Sequence, residues 1–353
     1  MALSKIESGL IADNSVIGGT TATINGITPQ ASNLQPFNRI TNGAMTIDQR
    51  NAGIEVTNIA GNVYTLDRWQ ANGDQASKFT IQQNAGSVTP PVGFINYLGI
   101  TSSSAYSVGA AESFVIRQKI EGLNVADLGW GAAGAATVTL SFWVRSSLTG
   151  TFGGSISNNA RNRSYPFSYT ISTANTWEQK SVTIAGDTTG TWLTTTGIGI
   201  EIDFGLGVGT TYSSTAGSWS GATYISATGA TSVVGTSGAT FYITGVQLEA
   251  GSTASSFVHE NYGDTLQKCQ RYFETQYFNS LYLGTGQGSH NLRQAHFSVT
   301  KRAVPTLTTA FTVDAGAAVT ATSPDKGGYR YGRIADNSAI QGFMGTLSAD
   351  AEL

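Results

Sequence analysis

Apolar and polar residues alternate along several stretches of the central part of the chain. In "VTLSFWVRSS" the apolar residues Val138, Leu140, Phe142 and Val144 occupy every second position. "GIGIEIDFGLG" and "SFVIRQKIEG" show the same alternation. Because successive side chains of a strand point to opposite faces, each stretch is predicted to be a strand with one buried face.

The order of these stretches predicts an all-β protein. Turn-rich segments such as "SSLTGTFGGS" separate the strands, and no helical crossover lies between them, so residues 38–262 are expected to form an antiparallel sandwich. Residues 263–278 are predicted to be a short helical linker, and residues 279–353 a smaller C-terminal β domain. Residues 1–37 form an arm that either frays or orders against a sister chain or a docking partner.

The stretch "FYITGVQLEAG" changes its alternation halfway. Phe241 and Ile243 share one parity, whereas Val246 and Leu248 have the opposite parity. A β-bulge at Gly245 would let both pairs point into one core. Glu249 then falls at the end of the strand, where a solvated carboxylate is favoured over a catalytic one.

Composition narrows the classes of function. Charged residues make up only 12% of the 353 residues, and the formal net charge is −3 with no basic cluster, which argues against nucleic-acid binding. Cys269 is the single cysteine, so an intrachain disulfide is excluded and a structural thiol is expected. No apolar run suits a signal peptide or a membrane span, which predicts synthesis in a cytoplasm and no membrane insertion.

Candidate catalytic and metal-binding groups are few. The three histidines lack metal-ligand spacing, so neither a metal nor another cofactor is predicted. Glu201 and Asp203 share one strand face, and such a pair could serve glycoside hydrolysis. A solvated sheet face is the favoured interpretation, and the protein is predicted not to be an enzyme.

Aromatic residues on a polar segment are the better indication of a binding site. "GVGTTYSSTAGSWSGATYISATG" is rich in glycine and serine yet carries Tyr212, Trp219 and Tyr224. Rings on such a loop are platforms for the apolar faces of sugars, or they pin the loop to the body of the protein. Arg161 and Arg163 in "NNARNRSYP" are further candidate ligand residues, or they solubilise a turn.

Several stretches resemble, in order, a family of tail-fibre and appendage proteins of tailed bacteriophages. They are "FNRITNGAMTIDQRNAG", "YTLDRW", "SFVIRQKIEG", "VTLSFWVRSSLTGTF", "YPFSYTISTANTWEQKSVTIAGDTTGTW", "FYITGVQLEAGSTASSF" and "YGDTLQKCQRYFE". They cover most of residues 38–275.

The resemblance implies a jelly roll similar to carbohydrate-binding modules, a homotrimer on the virion, and attachment to a host surface polysaccharide. It also implies that the N-terminal arm docks onto phage tail or other virion structural proteins. Modules of this shape often hold a structural calcium, but Thr46 and Gly245 stand where its acidic ligands are expected, so no metal site is predicted here.

The predicted function is therefore a non-enzymatic receptor-binding subunit of a phage tail fibre, made in the host cytoplasm and exposed on the particle. Two other functions stay open. One is a purely structural virion protein, such as a head decoration or a tail adaptor. The other is a glycan depolymerase.

Overall fold

The computed structural model describes residues 37–283, 290–313, 319–322, 325–334 and 340–353, so the predicted arm at 1–37 lies almost wholly outside the described residues. Within these residues, thirteen strands precede helix α1, which spans Tyr262–Gln270. They are β1 Gly61–Leu66, β2 Trp69–Gly73, β3 Phe79–Gln83, β4 Leu98–Ser102, β5 Ser113–Glu121, β6 Val138–Ser146, β7 Gly150–Ser157, β8 Ser164–Ile171, β9 Glu178–Ile184, β10 Ile198–Val208, β11 Ser213–Ser214, β12 Ser226–Ala227 and β13 Thr240–Ala250. Short 3-10 turns occur at Ala85–Ser87, Gly122–Asn124, Ala126–Leu128 and Thr210–Tyr212.

Eleven of these strands form an antiparallel jelly-roll sandwich. One sheet has six strands in the order β1-β2-β5-β10-β7-β8, and the other has five in the order β3-β4-β13-β6-β9. Neighbouring strands pair antiparallel throughout both sheets. The predicted fold class is therefore confirmed.

The core lies between the two sheets and is built by the alternating apolar rows. Phe142 on β6 and Phe204 on β10 face each other across it, with ring centroids 5.0 Å apart at a near-perpendicular angle. Both rings are fully buried, as are Leu140 and Ile202 beside them. Burial of such side chains contributes roughly 1.5–3 kcal/mol each, so the period-two rows stabilise the sandwich by the apolar surface that they bury.

The predicted bulge in β13 is present. The pairing of β13 with β6 shifts between Thr244 and Gln247, and Gly245 there has a φ of 60°, which favours glycine. Phe241, Ile243, Val246 and Leu248 all join the core as a result.

The expectation of a solvated Glu249 is wrong. Its side chain is only 4% exposed and accepts hydrogen bonds from the Ser255 amide at 2.8 Å and the Ser255 hydroxyl at 2.7 Å. The segment after β13 folds back over the strand end, which a single strand's alternation does not reveal. Glu249 thus fixes the exit of the chain from the sandwich.

A helix and two small sheets follow the sandwich. Helix α1 spans Tyr262–Gln270, and the next strand already starts at Phe273, so the segment expected to be helical over 263–278 is shorter than predicted. The later strands are β14 Phe273–Leu283, β15 His290–His296, β16 Thr306–Val313, β17 Thr320–Thr322, β18 Gly328–Ile334 and β19 Ile340–Asp350. They pair as β14-β19-β16 and β15-β18-β17, and Phe297, Tyr329 and Leu347 lie in the core between them.

Buried ion pairs join this C-terminal part to the sandwich. Arg68, in the turn between β1 and β2, pairs with Glu352, and both side chains are almost fully buried. Arg271 pairs with Glu121 at the end of β5 at 2.7 Å, and the Tyr272 hydroxyl donates to the same carboxylate at 2.7 Å. Removing one partner of such a pair leaves an uncompensated buried charge, so these contacts fix how the two parts dock.

Candidate functional site: a polar cleft on the six-stranded sheet

The segment between β10 and β13 lies on the outer face of the six-stranded sheet, because that face carries glycine. Outward-facing Gly205 and Gly207 alternate with the core residues of β10. A Cβ added at Gly205 would lie 3.0 Å from Ser226 Oγ, and one at Gly207 would lie 2.6 Å from Val234 Cγ2. The glycines in "DFGLGV" therefore allow the segment to approach the strand closely.

Residues 209–239, between β10 and β13, are called the covering segment below. An open cleft of about 380 Å³, the polar cleft, lies beside this segment. Side chains of β1, β2, β5 and β10 line it together with the β7–β8 turn and the covering segment. The lining residues are Asn62, Asn72, Asp74, Ser113, Arg117, Lys119, Arg161, Ile198, Glu201, Tyr212, Thr223 and Ile225. Most of them can donate or accept hydrogen bonds, so the cleft suits a polar ligand.

Ion pairs form the floor of the cleft and correct the expectation that Glu201 and Asp203 lie on a solvated face. Their side chains are buried, and Arg117 Nε lies 3.4 Å from Glu201 and 2.8 Å from Asp203. Arg117 projects from β5 at the position paired with Asp203 on β10. The acidic and basic positions of two neighbouring strands thus meet in register under the covering segment.

Arg161 extends over the same carboxylates from the β7–β8 turn. Its guanidinium pairs with Glu201 and lies 3.6 Å from Asp203. The backbone at Arg161 has a φ of 52°, which is uncommon for a long side chain. The Thr223 hydroxyl donates to the Arg161 carbonyl at 2.8 Å and holds this conformation against the covering segment. Backbone conformations of this kind cluster at binding sites.

Burial also affects the amine at the edge of the cleft. Lys119 donates to the carbonyl of Leu353 at 3.0 Å. Burial, followed by the Arg117 and Arg161 guanidiniums, lowers the pKa of Lys119 to about 8. Lys119 is therefore still mainly protonated at pH 7 and loses its charge as the pH rises through about 8.

The structure separates the five candidate ligand residues. Tyr212 and Arg161 both line the cleft. Tyr224 is half-buried and does not line the cleft; its backbone amide donates to Ser164 Oγ at 3.1 Å. Arg163 forms a bidentate ion pair with Asp187 at 2.7 and 2.8 Å.

Trp219 belongs to an aromatic cluster away from the cleft. Its ring makes edge contacts with Trp130, Trp192 and Tyr165 at centroid distances of 5.4, 5.5 and 5.3 Å. Its indole N–H donates to the Ala185 carbonyl at 2.8 Å. This ring pins the covering segment to the sandwich, which was one of the two alternatives left open by the sequence.

Sequence reasoning missed the residues of β1, β2 and β5 that line the cleft. Arg117 and Lys119 occupy the polar positions of "SFVIRQKIEG", the stretch whose apolar row predicts β5. Their alternation placed them on the outer face, but only the strand order brings β5 next to β10. Asn62, Asn72 and Asp74 belong to the hairpin that contains "YTLDRW" but lie outside that motif.

A second hollow, of about 280 Å³, lies near helix α1 and differs in character. Phe94, Phe257 and His259 line it, with ring centroids 4.9 to 5.2 Å apart. Polar side chains such as Asn38, Thr46 and Glu260 line it beside these rings. The polar cleft is taken as the candidate site because Tyr212 and Arg161, two of the ligand residues predicted from the sequence, meet there.

Two further observations concern the described part of the chain. It contains no group of three or more His, Cys, Asp or Glu side chains placed to hold a metal ion. Its helices include none that is both long and apolar enough to cross a membrane.

Comparison with known proteins gives matches of structure only. No family model and no curated protein matches the chain. A tailspike protein 4 enzymatically active domain of bacteriophage CBA120 is similar at 13% identity, covering 61% of this chain and 21% of that chain, with a TM-score of 0.35. The matched part thus spans about a fifth of that tailspike chain.

Carbohydrate-binding modules are among the other similar structures. A CBM4 structure matches at 15% identity over 60% of this chain and 99% of that chain, with a TM-score of 0.30. A family 11 module from Clostridium thermocellum, in complex with a mixed-linked tetrasaccharide, matches at 9% identity over 59% and 100% of the two chains, with a TM-score of 0.27. All three TM-scores are below 0.5, so these similarities carry no argument about the function of this chain.

Proposed function

We propose that this protein binds a surface glycan in the polar cleft on the outer face of the six-stranded sheet. The observation that carries the proposal is the meeting of an aromatic side chain, Tyr212, with an array of charged and amide groups in one open concavity. Sugars have apolar ring faces and hydroxyl groups that both donate and accept hydrogen bonds. An aromatic ring beside hydrogen-bonding side chains matches both features.

The array is held in place before any ligand arrives. Asn62 Oδ1 accepts from Arg117 at 3.2 Å and from the Asn72 amide at 3.0 Å. Arg161 is held from two sides, by its ion pair with Glu201 and by the bond from Thr223 to its carbonyl. Preorganisation of this kind reduces the entropy that binding would otherwise cost.

We propose that binding occurs without catalysis. Glu201 and Asp203 lie two positions apart on one strand and contact the same two guanidinium groups. A pair of glycosidase carboxylates instead flanks the scissile bond, with one group free to transfer a proton. Release of reducing sugar from a bound polysaccharide would overturn this part of the proposal and favour a depolymerase.

We further propose that the protein is a receptor-binding subunit of a phage appendage, acting as a homotrimer exposed on the virion. Its support is the ordered set of stretches that resemble tail-fibre proteins. A purely structural role, as a head decoration or a tail adaptor, is the alternative. Labelled electron microscopy of particles separates these two, because label at the distal end of the tail agrees only with the receptor-binding role.

The cleft itself is tested with Tyr212→Ala. Tyr277→Ala is the matched control, because Tyr277 is 66% exposed on β14 and lies outside the cleft. Tyr212→Ala should weaken adsorption of the purified protein to host cells or to extracted surface polysaccharide about tenfold, equivalent to about 1.4 kcal/mol. Melting should stay unchanged in both variants. Equal adsorption of the two variants and the unmodified protein would place the glycan site elsewhere.

A further inference from the structure

We infer that the glycan taken by the cleft is neutral, that is, free of uronic or sialic acids. This inference rests on the proposed function and concerns the same site. It follows from the balance of charge at the cleft, where three basic side chains and three acidic ones meet. They are Arg117, Lys119, Arg161, Asp74, Glu201 and Asp203.

The two arginines are already neutralised by the protein. Arg117 lies 2.8 Å from Asp203 and 3.4 Å from Glu201, and Arg161 pairs with Glu201. A ligand carboxylate could bind either guanidinium only by displacing a protein carboxylate. That carboxylate would then stay buried without its partner, which is unfavourable.

The two remaining charges have opposite signs. Within the described part of the chain, neither Lys119 nor Asp74 pairs with a charged side chain. The Lys119 amine donates to the main-chain oxygen of Leu353, and Asp74 accepts from the Ser113 amide at 2.6 Å and from the Ser113 hydroxyl at 3.2 Å. An acidic sugar that gained an attraction to Lys119 would also enter the field of Asp74. The cleft therefore offers no net attraction to a carboxylate.

Neutral hydroxyl groups fit this arrangement better. A hydroxyl donates one hydrogen bond and accepts two, so it can donate to Asp74 or Glu201 and accept from Lys119 or Arg117 without disturbing the ion pairs. Hydrogen bonds to charged groups are roughly twice as strong as those between neutral groups. Recognition of a neutral glycan thus uses the charges of the cleft as they stand.

The test uses acidic polysaccharides before and after chemical reduction of their carboxyl groups. Surface polysaccharides extracted from candidate hosts are immobilised on an array as neutral polymers, as acidic polymers, and as the carboxyl-reduced form of each acidic polymer. The full chain should bind neutral or reduced polymers, with affinity changing less than about threefold between 50 and 500 mM salt, because no net charge is neutralised.

The outcomes distinguish this inference from the proposed function. Binding to an acidic polymer that is lost on reduction would overturn the neutral class and leave glycan binding intact. Binding to none of the polymers, with Tyr212→Ala adsorbing to host cells as the unmodified protein does, would overturn both. Binding to reduced but not to unreduced forms supports the inference.

A charge-swap variant tests the role assigned to Asp74. Asp74→Asn keeps an acceptor for the Ser113 amide but leaves the cleft with one excess positive charge. It should gain measurable binding to the acidic polymers, at least about fivefold over the unmodified protein at 50 mM salt. Glu55→Gln is the control, since Glu55 is exposed outside the cleft and its substitution changes the net charge equally. An equal gain in both variants would show only a global charge effect and would contradict the role of Asp74.

Discussion

Replacing Trp219 by alanine distinguishes a ring that stabilises the sandwich from a ring that contacts ligand. The indole makes edge contacts with Trp130, Trp192 and Tyr165, and its N–H donates to the Ala185 carbonyl at 2.8 Å. All of these contacts join the covering segment to the sandwich. Trp219→Ala removes them together and leaves a gap beside the core.

The expected loss of stability follows from these contacts. Truncation of a fully buried tryptophan costs about 3–5 kcal/mol, and Trp219 is partly exposed, so about 3 kcal/mol is expected. Aromatic pairs of about 0.5–1.5 kcal/mol each and one hydrogen bond of about 1 kcal/mol account for a loss of this size, since such terms are not fully additive. For a domain of this length, 3 kcal/mol lowers Tm by about 6–12 °C.

The assay is thermal and chemical unfolding combined with adsorption to host polysaccharide. Trp219→Phe serves as the control, because it keeps an aromatic ring but loses the N–H donor, and it should cost about 1 kcal/mol. Trp219→Ala should melt early, while its adsorption below the melting range should match that of the unmodified protein. Normal melting of Trp219→Ala with weakened adsorption would refute the structural role and make the aromatic cluster a ligand platform.

Two further predictions concern stability. Gly245→Ala should lower the free energy of unfolding by about 2–4 kcal/mol, because φ is 60° there and the added Cβ would lie 2.6 Å from the Phe94 ring. Gly221→Ala is the control in the same denaturation series, and it should be near neutral because nothing lies within 4 Å of the added Cβ. Burial raises the pKa of Asp67 to about 6, so the folded state favours its protonated form, and its contribution to stability should fall as pH rises from about 4 to 6. Asp67→Asn should therefore gain about 2–3 kcal/mol relative to the unmodified protein across that window, and parallel pH profiles of unfolding would contradict this assignment.

The sandwich could be predicted from the sequence because its strands have one buried face each. The alternation predicted strands β6 and β10, and the change of parity at Gly245 predicted the bulge in β13. Strand order is different, since it depends on which rows pack together across the core. The burial of Glu249 also escaped prediction, because it depends on the path of the chain after the strand ends.

The site was predictable only in part, for the same physical reason. Tyr212 and Arg161 are conspicuous in a polar segment, and both line the cleft. Their partners Arg117 and Glu201 come from strands far apart in sequence that become neighbours in the sheet. Two acidic residues on one strand face are predicted to be solvated unless it is known that β5, with Arg117, lies beside them and that the covering segment lies over them.

The motifs "NGAMTIDQR" and "DRW", which form part of the resemblance to tail-fibre proteins, stabilise the fold and do not line the cleft. Asn42 bridges the Ile47 and Asp67 carbonyls, and Gln49 links Asp67 to the Phe273 carbonyl at the start of β14. Arg50 contacts Asp350 and Glu352, so "NGAMTIDQR" and "DRW" together hold the first strands against the C-terminal part.

Motifs with a structural role of this kind can recur in any protein that has this fold, whichever ligand the protein binds. Under the proposed function, ligand choice resides in the residues that line the cleft, Asp74 and Tyr212 among them, and neither motif includes those residues. Substitutions at Asp74 or Tyr212 should therefore change binding while leaving the fold intact, whereas substitutions at Asn42 or Arg50 should do the reverse.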